Sequence, residues 1–335
     1  MPAYIYPSNA ALKEVEQVKL PNLLQTDPIF TIMPIVEEDA ALLMWDQEDD
    51  WTGLQQLRGM GGAPGEVTKV GAKQYIVKPG IYGERTTIDE VEITQGRALG
   101  TFSAPIDVSK LVMKDQDRLL ERRLNRIKWI GWNLVTTGTY SVSGPNGIIH
   151  ADTYTLQTLA GSDWSTAATA TPLADFRSAQ LKSRGKGVSF GKGAKAYMNR
   201  VTFNRLISNS NAADLYGRRT SGLGTVLSLN DANALLAGED LPEIVIYDEG
   251  YLDDSGTFQP WIADDKVALV GRRLNGAPIA DYAMTRNANN PNAAPGSYTK
   301  VDDDPKRVPR TIYVHDGHNG GPRVYFPSAI VIMSV

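Results

Sequence analysis

Two glycine-lysine-glycine triplets, Gly185-Lys186-Gly187 and Gly191-Lys192-Gly193, come nearest in this chain to a phosphate-binding loop. Such a loop needs the GxxxxGK[ST] spacing between a strand and a helix, so that backbone N–H groups cradle the phosphates. Here each lysine is followed by glycine, and the pattern stands after a predicted helix and before a predicted strand. With Lys182, Arg184 and Lys195, the triplets read instead as a flexible, locally positive turn able to face DNA or an acidic neighbour. His315-Asp316-Gly317-His318 offers three metal ligands, but ligands this close need a fixed turn and a fourth group from elsewhere. A turn between two terminal strands accounts equally for the Asp-Gly pair. Asp253-Asp254 and Asp302-Asp303-Asp304 match calcium loops in charge alone, without the twelve-position spacing that ends in glutamate. No GxSxG elbow and no HExxH pair occurs, and cysteine is absent. With only three histidines there is little material for acid–base work near neutral pH. No catalytic residue, cofactor or metal is expected, and the chain is not expected to be an enzyme.

The elements that would position any site are set by proline, glycine and apolar spacing. Residues 1–38 read as an arm: Pro2, Pro7, Pro21, Pro28 and Pro34 interrupt each periodic run, leaving one short helical pattern from Leu12 to Leu20. Its Leu24, Ile29, Phe30, Ile32 and Met33 need another surface, either a neighbour or the chain's own body. Asp39–Gln47 reads as a strand. After the glycine-rich Gly59–Glu66 comes a second strand-like limb, Lys73–Tyr82, interrupted at Pro79. Two limbs around a flexible tip predict a hairpin. Trp45, Trp51, Leu54, Leu57 and Met60 on it are costly to leave bare, at about 25 cal/mol per Å². A loop folded back on the body is the alternative.

Thr87–Ile93 alternates like a half-buried strand. A helix is predicted from Lys110 to Thr136, capped by Asp107 or Ser109 and ended by Gly138. Leu120, Leu124, Ile127, Gly131 and Leu134 form its apolar stripe; Arg118, Arg122 and Arg126 lie on another face. Thr139–Val142 and Ile148–Thr155 flank a Ser-Gly-Pro-Asn-Gly turn. Helices are expected at Pro172–Leu181, Arg200–Ile207 and Asn230–Leu236. Strands are expected at Ala194–Met198, Glu243–Asp248, Thr257–Ile262, Lys266–Val270, Thr311–His315 and Val324–Val335. The polar stretch Asn275–Asp304 reads as a long exposed loop. There is no βαβ repetition, so the fold class is α+β.

With 335 residues, the chain is expected to form one large or two interleaved domains. A formal net charge of -4 excludes a protein that coats DNA with its whole surface, because phosphate neutralisation needs Lys and Arg. Any DNA contact is a local patch. No stretch reaches the length of a membrane span, and the N-terminus lacks signal-peptide character, so a soluble protein is expected, with no membrane partner.

In order and pattern the chain resembles the major capsid protein E family of tailed bacteriophages, the lambda-type branch of the HK97 fold. The likeness rests on Leu23-Leu24-Gln25-Thr26-Asp27-Pro28-Ile29-Phe30 before Trp45-Asp46, and on Gly61-Gly62-Ala63-Pro64-Gly65 leading to Val77-Lys78-Pro79. It continues through Asp117-Arg118-Leu119-Leu120-Glu121-Arg122-Arg123, Glu243–Asp248, Trp261–Leu269 and Pro322-Arg323-Val324-Tyr325-Phe326-Pro327. The resemblance implies an N-terminal arm (1–38) and an extended loop (39–100). It also implies a peripheral domain (101–165 and 306–335, with a spine helix at 108–137) and an axial domain (166–305). It implies a virion shell of pentamers and hexamers around packaged double-stranded DNA, assembled in the bacterial cytoplasm. Portal, scaffolding and decoration proteins are the implied partners. The chain begins at the arm, with no scaffolding segment expected before it. Phe30, Trp45, Trp51, Leu54, Leu57, Arg58 and Met60 are the expected intersubunit contacts; Arg118, Arg122, Arg126, Lys182, Arg184 and Lys186 are the expected DNA-facing residues. Removing residues 1–38 is expected to leave a folded chain that forms no shells. An encapsulin-like cellular compartment, or an α+β enzyme or binding protein of unfamiliar type, are the alternatives.

Overall fold

The structure, a computed structural model, describes residues 6–47, 54–66, 73–95, 107–208 and 228–335, apart from 254, 275, 305 and 307. The chain divides into two interleaved units. The first takes residues 1–44, 76–130 and 281–323; the second takes 45–75, 131–280 and 324–335. Both mix helix and sheet, as α+β requires.

Among the described residues, four helices belong wholly or mainly to the first unit. Helix α1 (Asn9–Gln25) starts at Ser8, whose hydroxyl accepts the Ala11 N–H at 3.2 Å. Asp27 then accepts the Ile29 N–H at 2.9 Å and opens the single turn α2 (Ile29–Ile32). Leu12, Ile29, Phe30, Ile32 and Met33 are all buried, so the arm lies on its own chain. Removing residues 1–38 would strip these apolar side chains from a core, which bears against the expectation that the remainder stays folded without them.

Helix α3 (Glu90–Gln95) overturns the strand expected at Thr87–Ile93. The strand ends at Ile88. Asp89 accepts the Glu92 N–H at 2.8 Å and donates its own N–H to the Glu92 carboxylate at 3.3 Å. This reciprocal capping box outweighs the alternation of the side chains. Helix α4 (Ser109–Thr137) matches the expected long helix: Asp107 accepts the Ser109 N–H at 2.9 Å, and Gly138 ends it with φ +77°. Leu120, Leu124, Ile127 and Leu134 of the stripe are buried. Residues to 130 count with the first unit and later ones with the second.

The first unit's sheet is organised around one thirteen-residue strand, Ile312–Val324. Ser297–Asp303 and Gly80–Ile88 run antiparallel on its two sides, so that Thr299, Asp316 and Glu84 stand in one cross-strand row. Ala280–Met284 also neighbours the long strand, and Ile35–Glu37 pairs with it in parallel, Ile35 opposite Tyr282. Two expectations fail here. Asn275–Asp304 is not an exposed loop: Ala280–Met284 is buried at every position, and the turn after it closes on itself through Asn290, which donates to the Ala294 carbonyl at 3.0 Å. Residues 281–323 belong to the first unit. His315–His318 is not a turn either, because it lies within the long strand. Glycine at 317 serves packing there, since a Cβ would come within 2.4 Å of the Tyr82 carbonyl oxygen.

In the second unit a five-stranded sheet runs in the order Glu243–Ile246, Lys195–Met198, Lys266–Val270, Ile330–Ser334, Gln157–Ala160. Lys266–Val270, flanked by Lys195–Met198 and Ile330–Ser334, shows the continuous apolar burial of a strand covered on both faces. Helices Pro172–Leu181, Arg200–Ile207 and Leu229–Gly238 form at the expected places. They add Phe176, Phe203 and Leu236 to a core with Met198, Leu269 and Met333. The Thr139–Ser143 and Ile149–Thr153 hairpin closes over Pro145–Gly147. Glu243–Ile246 and Phe258–Pro260 form within the expected strands, but a further short strand, Gly250–Leu252, precedes the Asp253 turn and is the one that pairs with Phe258–Pro260. The terminal strand Ile330–Ser334 sits in this sheet between Lys266–Val270 and Gln157–Ala160.

Candidate assembly surface

The glycine-rich segment is held at its base by two paired strands, Leu43–Gln47 and Lys73–Val77. Trp45 anchors that base. Its ring stacks on Tyr75 at 5.2 Å, and its indole N–H donates to the Val324 carbonyl at 3.1 Å. Of the expected contact residues, Trp45 is 5% exposed and Phe30 6%, so their own chain already covers both. An aromatic side chain reads alike in sequence whether its cover comes from the same chain or another. Trp51 lies outside the described residues.

Between the limbs, the described residues 54–66 form no helix or strand. A single turn forms at Gly59–Gly62, where the Gly62 N–H donates to the Gly59 carbonyl at 3.0 Å and Gly61 takes φ +80°. Arg58 donates to the Gly62 carbonyl at 3.2 Å, bracing the same turn. Leu54, Leu57 and Met60 are 98%, 101% and 108% exposed. Beyond the second limb, Lys78-Pro79 breaks the strand as the proline predicts, and Gly80–Ile88 resumes it.

Arg118, Arg122 and Arg126 fall at four-residue spacing on one exposed face of α4. Arg118 lies 3.7 Å from Asp115, and Arg122 forks onto Glu84 at 2.5 and 3.0 Å. That pairing holds the Glu84 carboxyl below its ordinary range, with burial opposing. The Arg126 guanidinium stands 5.6 Å from the Trp129 ring. In the second unit, Lys182, Arg184 and Lys186 line the turn after Pro172–Leu181; Arg184 is exposed, and Lys186 donates to the Gln157 side chain at 2.7 Å. The second triplet has an internal partner: the Lys192 N–H donates to the Asp240 carboxylate at 3.0 Å. A carboxylate thus sits where a bound phosphate would have to go.

His315 and His318 emerge on opposite faces of their strand, as period-two geometry requires, and cannot converge on one ion. His318 is buried, stacked on Tyr82 at 5.1 Å, with Nε2 2.9 Å from the Tyr282 hydroxyl. No group of three or more metal-ligating side chains comes together among the described residues.

Two buried charge clusters were not anticipated. In one, Arg123 contacts Glu16 and donates to Asp316 at 2.8 Å, with Thr299 3.1 Å from Glu16 and 3.2 Å from Asp316. In the other, Arg323 meets Asp281 and Glu38. A signal for the first was present, since Arg123 lies among Leu120, Leu124 and Ile127 on the buried side of α4.

The sequence profile of the phage major capsid protein E matches residues 36–314. The chain belongs to that family, whose members form the shells of phage virions. The fold agrees with HK97-like capsid proteins. The crystal structure of a prophage protein from E. coli CFT073, given as a capsid protein, superposes with a TM-score of 0.64 at 14% identity, covering 99% of both chains. A phage-related protein from Bordetella bronchiseptica RB50 superposes with a TM-score of 0.52 at 9% identity, covering 95% of this chain and 96% of its own. No curated protein sequence matches.

Proposed function

We propose that residues 54–66 join copies of this subunit into a closed shell, each segment lying on a neighbouring subunit. The observation that carries this is the complete exposure of Leu54, Leu57 and Met60 on a segment whose base is pinned by Trp45. Apolar area repays about 25 cal/mol per Å² when covered, and closed symmetry offers every copy the same cover. Arg58 braces the turn and adds a charge beside it. The subunits gather as pentamers and hexamers, and their work is mechanical, with no reaction catalysed. Double-stranded DNA fills the shell. Arg118, Arg122, Arg126, Arg184 and their neighbours Lys182 and Lys186 contact it non-specifically; partners already on Arg118 and Arg122 keep that contact weak. Portal, scaffolding and decoration proteins complete the particle in the bacterial cytoplasm.

The test is a Leu54→Ser, Leu57→Ser, Met60→Ser triple variant. It keeps the melting temperature of the parent subunit and yields no shells in sedimentation and electron microscopy. Normal particles from the triple variant overturn the assignment. Nucleic acid recovered from nuclease-treated parent particles separates a DNA shell from a protein-filled compartment.

A further inference from the structure

We propose that helix α1 is a strap that lifts from the first unit when the Glu16–Arg123–Asp316 cluster loses a proton. The inference concerns the single subunit and does not depend on how copies meet.

The strap is weakly held by apolar contact. Of its seventeen residues only Leu12 and Glu16 are buried, and Val18 is 75% exposed. Elements with few buried apolar side chains open at low free energy. The chain just beyond α1 is fixed far better: Asp27 receives Lys128 at 3.2 Å and accepts the Ile29 N–H, and Ile29, Phe30 and Ile32 of α2 are buried. Thr26–Pro28 is therefore the point about which α1 swings.

The buried charges that tie α1 down centre on one cation, beside two neutral ties: the Gln116 side chain donates to the Leu12 carbonyl at 2.7 Å, and the Val301 N–H donates to the Asn9 side chain at 3.0 Å. Arg123 on α4 lies between Glu16 on α1 and Asp316 on the long strand, and each of the three side chains is at most 6% exposed. Thr299 on the adjoining strand touches both carboxylates with a hydroxyl that carries one hydrogen, and Ser297 donates to Glu16 at 2.9 Å. Across the other side of Asp316 stands Glu84, itself forked by Arg122, with Arg126 also acting on it. Tyr298 lies beside Asp316 and its hydroxyl stays protonated. Lys19 on α1 pairs with Asp117 on α4 at 2.6 Å in a half-exposed position. On the long strand His315 lies on the opposite face, and His318 is engaged with Tyr282.

With Glu16 and Asp316 both ionised, the buried triad carries one negative charge in excess; with one proton bound it is neutral. Burial, Glu16 and Glu84 push the Asp316 carboxyl up to about 7, against Arg123 and Thr299. Lifting α1 takes Glu16 away and admits water, so Asp316 returns toward the ordinary carboxylate range near 3.9. The lifted state therefore holds fewer protons between about pH 4 and 7. It is favoured as pH rises through that window and levels off above it.

The test is hydrogen exchange of the full chain, corrected for intrinsic rates, from pH 5 to 8. The opening constant of Asn9–Gln25 amides rises up to tenfold per pH unit until about pH 7 and then flattens, while amides of Ile312–Val324 stay protected. Asp316→Asn abolishes the rise. Glu16→Gln lessens the rise, because Asp316 then loses one of the charges that push it up while its burial remains, and it supplies the answer if Asp316→Asn fails to fold. A flat profile in the parent, the same rise in both variants, or joint opening of Ile312–Val324 overturns the proposal.

Discussion

Arg323 and Asp281 form a two-pronged ion pair, Nε to Oδ1 and Nη2 to Oδ2, both at 2.8 Å and almost out of solvent. The pair links the strand Ala280–Met284 to the long strand beside it, and Glu38 closes on the same guanidinium from the end of the arm. Such a fork fixes register as well as charge, because its two bonds demand one relative position of the two strands.

Arg323→Met strands the Asp281 carboxylate in an apolar setting. A loss of about 3–5 kcal/mol is expected, read as a lower urea midpoint at unchanged slope. Pairing it with Asp281→Leu restores much of the loss, because the fully buried carboxylate is then gone and only the partly exposed Glu38 lacks its partner. A double variant no better than the single one would falsify this account of the pair.

Gly138 ends α4 in the left-handed region, and a Cβ there would stand 2.9 Å from the Tyr154 carbonyl oxygen. Gly138→Ala is expected to lower stability by about 1–2 kcal/mol from backbone conformation alone, with the close approach adding to it. Thermal unfolding of the variant measures the sum.

The pH dependence of stability has two opposed sources. Asp316 is raised in the folded state to about 7, so its contribution is full below the ordinary carboxylate value and is lost as pH climbs to 7. Glu84 is held low by Arg122, so its contribution is present above the ordinary glutamate value and lost as acid protonates it. Stability of the first unit should therefore peak on the acid side of neutral. Urea titrations at stepped pH should show Asp316→Asn removing the decline toward pH 7, while Arg122→Gln weakens the acid limb.

How much of this was legible in the sequence depends on how local each cause is. Helix α4, the Pro145–Gly147 turn and Pro172–Leu181 carry their own caps, glycines or prolines within a few residues, and all formed as expected. The strand Ala280–Met284 did not announce itself. Its short Ala-Asp-Tyr-Ala-Met run becomes core only because distant segments, Ile35–Glu37 and Ile312–Val324, flank it. Asp316 and Glu16 are separated by 300 positions, so nothing in either neighbourhood predicts that Arg123 joins them. Phe30 and Trp45 show the same limit: a buried aromatic is predictable, but not which surface buries it. Leu54, Leu57 and Met60 differ, because the glycine and proline around them leave no local structure in which to hide.

Because the chain contains no cysteine, Leu57→Cys introduces a unique thiol at the centre of the proposed contact. The decisive measurement is its rate of maleimide labelling in unassembled subunits and in intact particles. Rapid labelling of the subunit and at least a tenfold slower reaction in the particle are predicted. Equal rates in both would contradict the assignment of residues 54–66 as the place where copies meet.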